Sequence, residues 1–452
     1  MKNLTRILTA ILLVIAILTS LAACNETDHV SDPDSSSFES TSSSDSSNSF
    51  NSNESSLNDD SSSVSDESLP ANPQDTVVSI LACPDNIIHP SVFYDALERA
   101  AAKDQRAPDY SDLHNAKYDF SPIYEDVAEQ IKNADIAYIN QETLIGGTSG
   151  KIIGYPCFNS PKPVADEVIG LGFDVVNVAH NHMLDSGDTR YLENCSNTFE
   201  NAGLEVIGYY PDEKSTESIT VLERDGIRIA FLAYTYGTNG IRLPSNSSFI
   251  IPYLDKDLLS RQVSAAKSVA DVIIVSCHWG YEDTFNANSQ QKEYATLMCE
   301  LGVDVVLGMH PHVIQPMEWM TSSTGSKTLV VYSLGNFVSG MVAGKNMLAG
   351  MLSLNIVKDA ETKKITIEQP TFIPIVTHYI KGVGVASNDT GYRSFKIYYL
   401  NDYTEELAAT HGVCRYERGH GTTLVGGAFS KETLIKTLKK YIPAEFLPIE
   451  FQ

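Results

Sequence analysis

The sequence predicts an α/β protein built on a mixed sheet, and two observations support this prediction. Short apolar runs of the buried-strand type alternate with segments of helical character, and hairpin signals appear later in the chain. Four of the apolar runs end in polar residues that can bind metals or transfer protons. Because ligands of open α/β sheets bind outside the carboxyl ends of the strands, we expect the functional site at these four ends.

The N-terminal part of the chain is predicted to be an export signal followed by a tether. Lys2 and Arg6 precede an apolar stretch over residues 7–18, which is typical of a secretory signal peptide spanning residues 1–23. The small residues before Cys24 resemble a bacterial lipobox, and this resemblance implies lipid attachment at Cys24 and anchoring at the outer face of the cell membrane. An ordinary signal peptide with a chance cysteine is the alternative. Residues 24–75 contain twelve acidic residues and no lysine or arginine, which predicts a disordered, self-repelling tether.

The charge and the cysteines narrow the classes of function. The chain of 452 residues has a net charge of −25 at pH 7, which argues against nucleic acid as a partner. Its seven cysteines show no CxxC pair, so they predict no zinc site of that type. Cys83 and Cys277 lie within apolar runs, and we expect them to be small buried hydrophobic residues.

From residue 76 onward the chain is predicted to alternate between strands and helices. Ser121 followed by proline is typical of a helix start, and Asp225 followed by glycine indicates a hairpin. From about Asn388 the pattern mixes helix and loop. The predicted strands cover residues 76–83, 136–140, 175–178, 205–208, 219–223, 228–234, 272–277, 305–309, 328–333, 350–357 and 365–374. The predicted helices cover residues 91–102, 121–133, 161–171, 188–202, 257–270 and 290–301.

The polar strand ends supply the ligand types of a hydrolytic metal centre. Imidazole suits Zn, Fe and Mn, and carboxylates suit Mn, so we expect one or two divalent ions of this kind. Two such ions would lie roughly 3.5–4 Å apart. Alternation along an extended segment would place His310 and His312 on one face. The predicted ligands are Asp85, Glu142, Asn181, His278, His310 and His312.

Other polar residues near these ligands are predicted to assist the chemistry. If Asn181 ligates through its carbonyl oxygen, His182 is left to act as a general acid or electrostatic stabiliser, and Asp185 is the second candidate catalytic residue. Asp185 at a helix start, Glu142 as a cap of the following loop and Asp85 as a turn residue are the structural alternatives. The residues predicted to orient ligands or contact substrate are His89, His180, Glu282 and Asn336.

At these residues the chain resembles the bacterial CapA-type proteins of capsule (poly-γ-glutamate) biosynthesis, which are similar to the calcineurin-type metallophosphoesterases. The resemblance covers about residues 76–340 and implies a mixed-sheet α/β/β/α sandwich of the metallo-dependent phosphatase type. It also implies one domain over residues 76–380, with residues 381–452 as an extension packed on it. Ile87 stands where the phosphoesterases have the histidine of Asp-x-His, and Glu142 stands where they have a bridging aspartate. The matching motifs are Asn140-Gln141-Glu142, His180-Asn181-His182, His278-Trp279-Gly280-x-Glu282, Gly308-x-His310-Pro311-His312 and Ser333-Leu334-Gly335-Asn336-Phe337.

The resemblance also implies a function and partners. It implies a lipid-anchored, extracytoplasmic protein that hydrolyses a phosphoester with divalent metal during synthesis or export of an anionic polymer. The expected partners are the membrane, the polymer or phosphoester substrate, and subunits of a membrane synthesis complex. The alternative is a non-catalytic subunit that binds the polymer or assists assembly. A solute-binding lipoprotein fits the anchor and the tether but leaves the histidines unexplained.

Overall fold

The computed structural model describes residues 74–452. The predicted signal peptide, the lipid attachment at Cys24 and nearly all of the predicted tether therefore lie outside the described residues. Among residues 74–452, no helix has both the length and the apolar character that a bilayer crossing requires.

Fourteen strands and ten α-helices make up the fold of residues 74–452. The strands are β1 (Thr76–Asn86), β2 (Ile136–Asn140), β3 (Val175–Asn177), β4 (Glu205–Ile207), β5 (Thr220–Arg224), β6 (Ile227–Thr235), β7 (Val272–His278), β8 (Val305–Met309), β9 (Met317–Thr321), β10 (Lys327–Val331), β11 (Asn336–Val338), β12 (Leu348–Lys358), β13 (Ile365–Lys381) and β14 (Tyr392–Tyr399). The helices are α1 (Pro90–Lys103), α2 (Ser121–Tyr124), α3 (Ala128–Asn133), α4 (Pro163–Leu171), α5 (Arg190–Glu200), α6 (Lys256–Val269), α7 (Ser289–Glu300), α8 (Glu405–Thr410), α9 (Val413–His420) and α10 (Lys431–Tyr441).

The strands form two mixed sheets. The first has the order β14-β13-β12-β1-β2-β3-β4, with β11 paired to β1, and the second has the order β5-β6-β7-β8-β10-β9. In the first sheet β1 to β4 are parallel, and β12 to β14 are antiparallel. In the second sheet β6, β7, β8 and β10 are parallel, and β5 and β9 are antiparallel edges. The predicted mixed α/β class is therefore confirmed.

The two sheets pack face to face, with helices on their outer sides. In β7, Val272 and Ile274 belong to the core between the sheets, whereas Ile273 and Val275 pack in a second core beneath α6 and α7. The Tyr138 hydroxyl of β2 lies 2.7 Å from the Ser276 hydroxyl of β7 and links the sheets. Such alternation is what a strand buried on both faces requires. The layers therefore follow the α/β/β/α order.

Several elements differ from the prediction. β9, β11 and β14 were not predicted, and the single helix expected over residues 121–133 is divided into α2 and α3. Lys396 of β14 contacts the segment between these two helices, where it forms ion pairs with Glu125 and Asp126. β14 is held in place where the Asp95 carboxylate of α1 accepts hydrogen bonds from the backbone N–H groups of Ser394 and Phe395.

The observed bounds of β1 and β13 differ from the boundaries that the sequence predicts. β1 extends three residues beyond the predicted strand, through Pro84 to Asn86, with a register shift at Asp85. This shift places the Asp85 side chain at the end of the strand. β13 runs through residue 381, where the predicted extension begins, and pairs there with β14. Cys83 and Cys277 are buried free thiols in β1 and β7, as predicted.

The direction of the parallel strands determines where a site can form. The carboxyl ends of β1, β2 and β3 lie at the same edge of the molecule as those of β6, β7 and β8. β1 begins at Thr76, at the opposite edge, and its 11 residues span roughly 35 Å. The chain therefore enters the domain on the side away from the polar strand ends.

Candidate metal centre

The carboxyl ends of the two sheets bring all six predicted ligands together. Their side chains form one buried cluster: Asp85 0%, Glu142 0%, Asn181 2%, His278 0%, His310 3% and His312 6% exposed. Asp85 ends β1, and Glu142 follows β2. His278 ends β7, and the other two histidines follow β8.

One group of possible ligands consists of Asp85, Glu142 and His312. One ligand atom from each lies within 4.8 Å of the others. Nδ1 of His312 is 3.5 Å from Oδ2 of Asp85, and its Nε2 is 3.7 Å from Oε1 of Glu142. A single divalent ion can bind one donor atom from each residue, with His312 supplying one of its two ring nitrogens.

A second group consists of Glu142, His278 and His310, again with ligand atoms within 4.8 Å of one another. Nε2 of His278 is 3.7 Å from Oε1 of Glu142 and 3.0 Å from Oδ1 of Asn181. Asn181 therefore lies beside this group, with its carbonyl oxygen toward His278. Since Glu142 belongs to both groups, its carboxylate can bridge two cations.

The chemistry of the donor set fits a bound cation. Within residues 74–452, neither carboxylate oxygen of Glu142 has a hydrogen-bond partner, and the same is true of Nδ1 of His278 and Nδ1 of His310. A buried carboxylate without a partner costs several kcal/mol of folding free energy, and a cation removes this cost. Burial lowers the pKa of His278 and of His310 well below the usual value, which keeps both rings neutral, as metal binding requires.

The carboxylates of Asp85 and Glu142 share a neighbour that can carry a positive charge, His312. Burial, and then the nearby Asp85, raise the pKa of Glu142 well above its usual value. Burial acts to lower the pKa of His312, but the attraction of Glu142 and then of Asp85 outweighs burial and raises it to about 10. In the protein alone, an imidazolium at His312 therefore partly balances the buried acids.

The turn that carries the two histidines has an unusual backbone. His310 has a φ of +95° and His312 a φ of +56°, both in the left-handed region. Side chains other than glycine pay about 1–3 kcal/mol for such conformations, which cluster at functional sites. The backbone N–H of His310 donates a hydrogen bond of 3.0 Å to Oδ2 of Asp85, which fixes this turn against β1.

A relay of asparagine amides supports Asp85, and the sequence analysis did not identify it. Asn177 Nδ2 donates to Asn140 Oδ1 over 2.8 Å, and Asn140 Nδ2 donates to Asp85 Oδ1 over 2.7 Å. Asn140 and Asn177 are register partners at the last positions of β2 and β3. Asparagine at the end of two adjacent predicted strands was the available signal.

His182 and Asp185 form a hydrogen-bonded pair beside the ligands. Nδ1 of His182 lies 2.8 Å from Oδ2 of Asp185, which also accepts a 2.7 Å hydrogen bond from the Phe158 backbone N–H. The Phe158 ring packs edge-on against the His182 ring, with centroids 4.7 Å apart.

Asn239 was not among the predicted site residues, but its Oδ1 accepts a 3.2 Å hydrogen bond from Nδ2 of Asn181. The sequence analysis missed Asn239 because it follows β6 in an irregular segment.

The four residues predicted to orient ligands or contact substrate lie at different distances from the cluster. Nδ1 of His312 is 2.9 Å from Oδ1 of Asn336, and Nδ1 of His180 accepts a hydrogen bond from the His182 backbone N–H. Glu282 is exposed, and its carboxylate forms a third group with His310 and His312, again within 4.8 Å. His89 belongs to none of the ligand groups found in residues 74–452; its Nδ1 accepts from the Gly340 backbone N–H.

Comparison with known proteins places this centre in a family. The sequence matches the family described as "Bacterial capsule synthesis protein PGA_cap" over residues 79–341. It is 28% identical over 217 residues to the PGA biosynthesis protein CapA of Bacillus subtilis, covering 47% of this chain and 55% of that protein. It is 30% identical over 171 residues to the capsule biosynthesis protein CapA of Bacillus anthracis, covering 37% of this chain and 40% of that one. The aligned part therefore spans about half the length of these curated relatives, or less.

Among solved structures, the neighbours include proteins with phosphatase-type descriptions. A putative 5'-nucleotidase from Staphylococcus aureus is 14% identical, with a TM-score of 0.41, covering 66% of this chain and 54% of that chain. The calcineurin-like phosphoesterase YfkN from Bacillus subtilis is 14% identical, with a TM-score of 0.33, covering 65% of this chain and 91% of that chain. The family match includes every one of the six clustered ligands and more than half of the chain, and the chain belongs to the bacterial capsule synthesis protein PGA_cap family.

Proposed function

We propose that this protein is a metal-dependent phosphoester hydrolase that acts in the synthesis or export of a bacterial capsule polymer. The observation that carries the proposal is the position of Glu142. Its buried carboxylate belongs to two ligand groups, and both oxygens are without a hydrogen-bond partner among the described residues. A carboxylate in this position is suited to bridge two cations.

The residues that would hold the ions divide between the two sheets. Asp85, Glu142 and His312 form one position, and Glu142 with His278, His310 and Asn181 forms the other. The mixture of imidazole, carboxylate and amide oxygen suits Mn, Zn or Fe. Such ions, when bound, polarise a phosphoryl oxygen and make water a stronger nucleophile near neutral pH.

His182 is placed to move the proton that the leaving group needs. Because Asp185 accepts the hydrogen bond from Nδ1, the ring orientation is fixed and Nε2 is the atom that can exchange a proton with substrate. Phe158 restrains the ring from the side. We assign His182 as proton donor to the leaving oxygen and Asp185 as the residue that positions it.

The proposed setting follows from the sequence and from the names of the relatives. The signal peptide with Cys24 would place the protein at the outer face of the cell membrane through a lipid anchor. The Bacillus subtilis relative is named as a PGA biosynthesis protein, which supports an anionic polymer or a phosphoester linked to it as the substrate. Subunits of a membrane polymer-synthesis complex are the proposed protein partners.

A second candidate function is supported by the hydrogen bonds and the charge balance among the clustered side chains. His278 is within hydrogen-bond distance of Asn181, and His312 of Asn336. The positive charge that the raised pKa gives to His312 partly balances Asp85 and Glu142. A cluster of this kind can persist as a polar support in a non-catalytic subunit that binds polymer or assists assembly.

Elemental analysis and a phosphatase assay on the same preparation distinguish the two functions. The purified chain is expected to contain Mn, Zn or Fe and to hydrolyse an aryl phosphate. The double substitution His310→Ala and His312→Ala should abolish both properties. The control is the double substitution His114→Ala and His420→Ala, which removes two exposed histidines and should change neither. Bound metal with no turnover on any phosphoester would favour the non-catalytic subunit, and a protein that binds no metal would refute the metal centre.

A further inference from the structure

We propose that Glu282 is a further metal ligand, an exchangeable carboxylate that reaches the centre from its solvent side. This inference rests on the proposed metal centre, and it assigns to Glu282 a direct contact with a cation. The other carboxylates of the centre are fully buried, whereas Glu282 is exposed.

The geometry places the Glu282 carboxylate against both buried positions. Its ligand atom lies within 4.8 Å of one ring nitrogen of His310 and one of His312. His310 belongs to the group with His278, and His312 belongs to the group with Asp85. Glu282 therefore lies next to one histidine of each of the two positions.

The backbone next to Glu282 is fixed although the residue is exposed. Asp283 has a φ of +65°, and its N–H donates a 2.9 Å hydrogen bond to the carbonyl oxygen of Pro311, between the two histidines. Its carboxylate accepts a 2.8 Å hydrogen bond from Asn346 Nδ2 and lies 3.3 Å from Lys345 Nζ. These contacts hold the segment that carries Glu282 against the histidine turn.

The turn from β7 to Glu282 is equally constrained. The Trp279 side chain is buried, and its Nε1 donates a 2.9 Å hydrogen bond to the carbonyl oxygen of Tyr332. Gly280 has a φ of +93°, and a Cβ there would come within 2.8 Å of the Gln291 side chain. Only glycine fits this position easily, so the chain turns back toward His310 within two residues of the strand end.

The carboxylate of Glu282 is also chemically available. Among the hydrogen bonds and ion pairs of residues 74–452, those of Glu282 involve only its backbone carbonyl, which accepts from the Thr284 hydroxyl. Glu282 supplies a hard oxygen donor that can be displaced when the phosphoryl group of a substrate enters from the same side.

The test measures metal binding and does not depend on turnover. The full chain is stripped of metal with a chelator and titrated with Co²⁺ by calorimetry, and the visible spectrum of the bound Co²⁺ is recorded. Glu282→Gln should weaken binding of at least one Co²⁺ equivalent by roughly tenfold or more and change the spectrum. Glu217→Gln is the matched control, because Glu217 is exposed on a short turn (Lys214–Glu217) and carries the same charge. It should bind like the unsubstituted chain.

The outcomes separate this inference from the proposed function. Equal affinity and an unchanged spectrum for Glu282→Gln, in a chain that does bind Co²⁺, would overturn the inference and leave the metal centre intact. Weaker binding in a protein without phosphatase activity would support the inference and refute the hydrolase. A chain that binds no Co²⁺ would overturn both. Thermal unfolding of the metal-free variants, expected to be unchanged, confirms that a loss of affinity is not a loss of fold.

Discussion

The backbone N–H of His310 donates a hydrogen bond to Oδ2 of Asp85 across 225 positions of the chain. This contact joins the end of β8 in the second sheet to the end of β1 in the first. It holds one candidate ligand of each sheet in place, so the site depends on the contact between the two sheets and is not formed by either sheet alone.

The asparagine relay is predicted to contribute to stability as well as to metal binding. Asn140→Leu would leave Oδ1 of Asp85 buried without its hydrogen-bond donor and would remove one of the two acceptors of Asn177 Nδ2, which keeps the Ser276 hydroxyl. We expect the free energy of unfolding to fall by about 3 kcal/mol, measured by urea denaturation of the metal-free protein. Asn401→Leu, at an exposed position, serves as control and should change it little. A loss below about 1 kcal/mol for Asn140→Leu would contradict the relay.

The pair of His182 and Asp185 should determine turnover but not metal content. Oδ2 of Asp185 contacts both the Phe158 N–H and Nδ1 of His182, so in Asp185→Asn one amide atom must take this position. An amide oxygen there keeps both contacts without the negative charge that stabilises a protonated His182, and an NH₂ group there loses the Phe158 bond and reverses the His182 tautomer. We expect kcat on an aryl phosphate to fall by roughly 10²–10⁴-fold. Metal content by elemental analysis should stay the same. Unchanged kcat would remove His182 from the mechanism, and a loss of metal would instead make Asp185 a support of the ligands.

Outside the site, Arg393 is predicted to contribute more to the free energy of unfolding than the other ion-pairing residues of the described chain. Its guanidinium donates to both oxygens of Glu98 and to Asp389, each over 2.8 Å, and its side chain is 9% exposed. Arg393→Met should lower the free energy of unfolding by about 3–5 kcal/mol, since two carboxylates lose their cation.

The control for this experiment is another arginine with a carboxylate partner. Arg228 pairs with Asp271 at 2.9 Å, but its side chain is 46% exposed. Arg228→Met should cost less than about 1 kcal/mol, because solvent screens the pair. Equal effects of the two substitutions on urea denaturation would show that burial does not determine the strength of these pairs.

His411 is predicted to make the fold less stable in acid. Burial, and then the neighbouring His378, lower the pKa of His411 to about 3, from a usual value of 6.5. Its Nε2 bonds the carbonyl oxygen of Thr377, and its Nδ1 accepts from the Val413 N–H, so the fold requires the neutral ring. A folded pKa below the unfolded one means that this stability is complete above pH 6.5 and is lost as the pH falls toward 3.

The measurement is the free energy of unfolding of the chelator-treated protein at pH 7 and at pH 4.5. His411→Gln should be less stable at pH 7, but it should lose about 2 kcal/mol less than the unsubstituted chain between the two pH values. The subtraction removes the contributions of the other buried histidines. Parallel losses in both proteins would show that His411 does not control the acid response.

The sequence allowed the clustering of the six candidate ligands to be predicted, because each follows a buried apolar run. Val305 to Met309, for example, has no polar side chain, so His310 must lie at the strand end and must meet the ends of the parallel neighbours. Asn140 and Asn239 were not identified, because an amide at a strand end is equally common in an ordinary turn. Their roles depend on partners that only the fold brings close, Asp85 and Asn181.

The same reasoning explains why β14 was not predicted. Its buried positions include Arg393, a residue type that normally indicates an exposed position. Arg393 is buried only because Glu98 and Asp389 are supplied by other segments of the chain. Likewise, the division between α2 and α3 involves Lys396, which lies far away in sequence. The predictions of a signal peptide, lipidation and a tether concern residues that the structure does not describe, and they stay predictions.

The entry of the chain at Thr76, at the opposite end of β1 from Asp85, has a practical consequence. A bead, a sensor surface or a fusion partner attached ahead of this residue would be separated from the ligand cluster by roughly the length of the strand, about 35 Å. The exposed side chain of Glu282 would then face away from the support. Immobilisation through this end is therefore the arrangement in which large, polymeric molecules can still reach the ligand cluster.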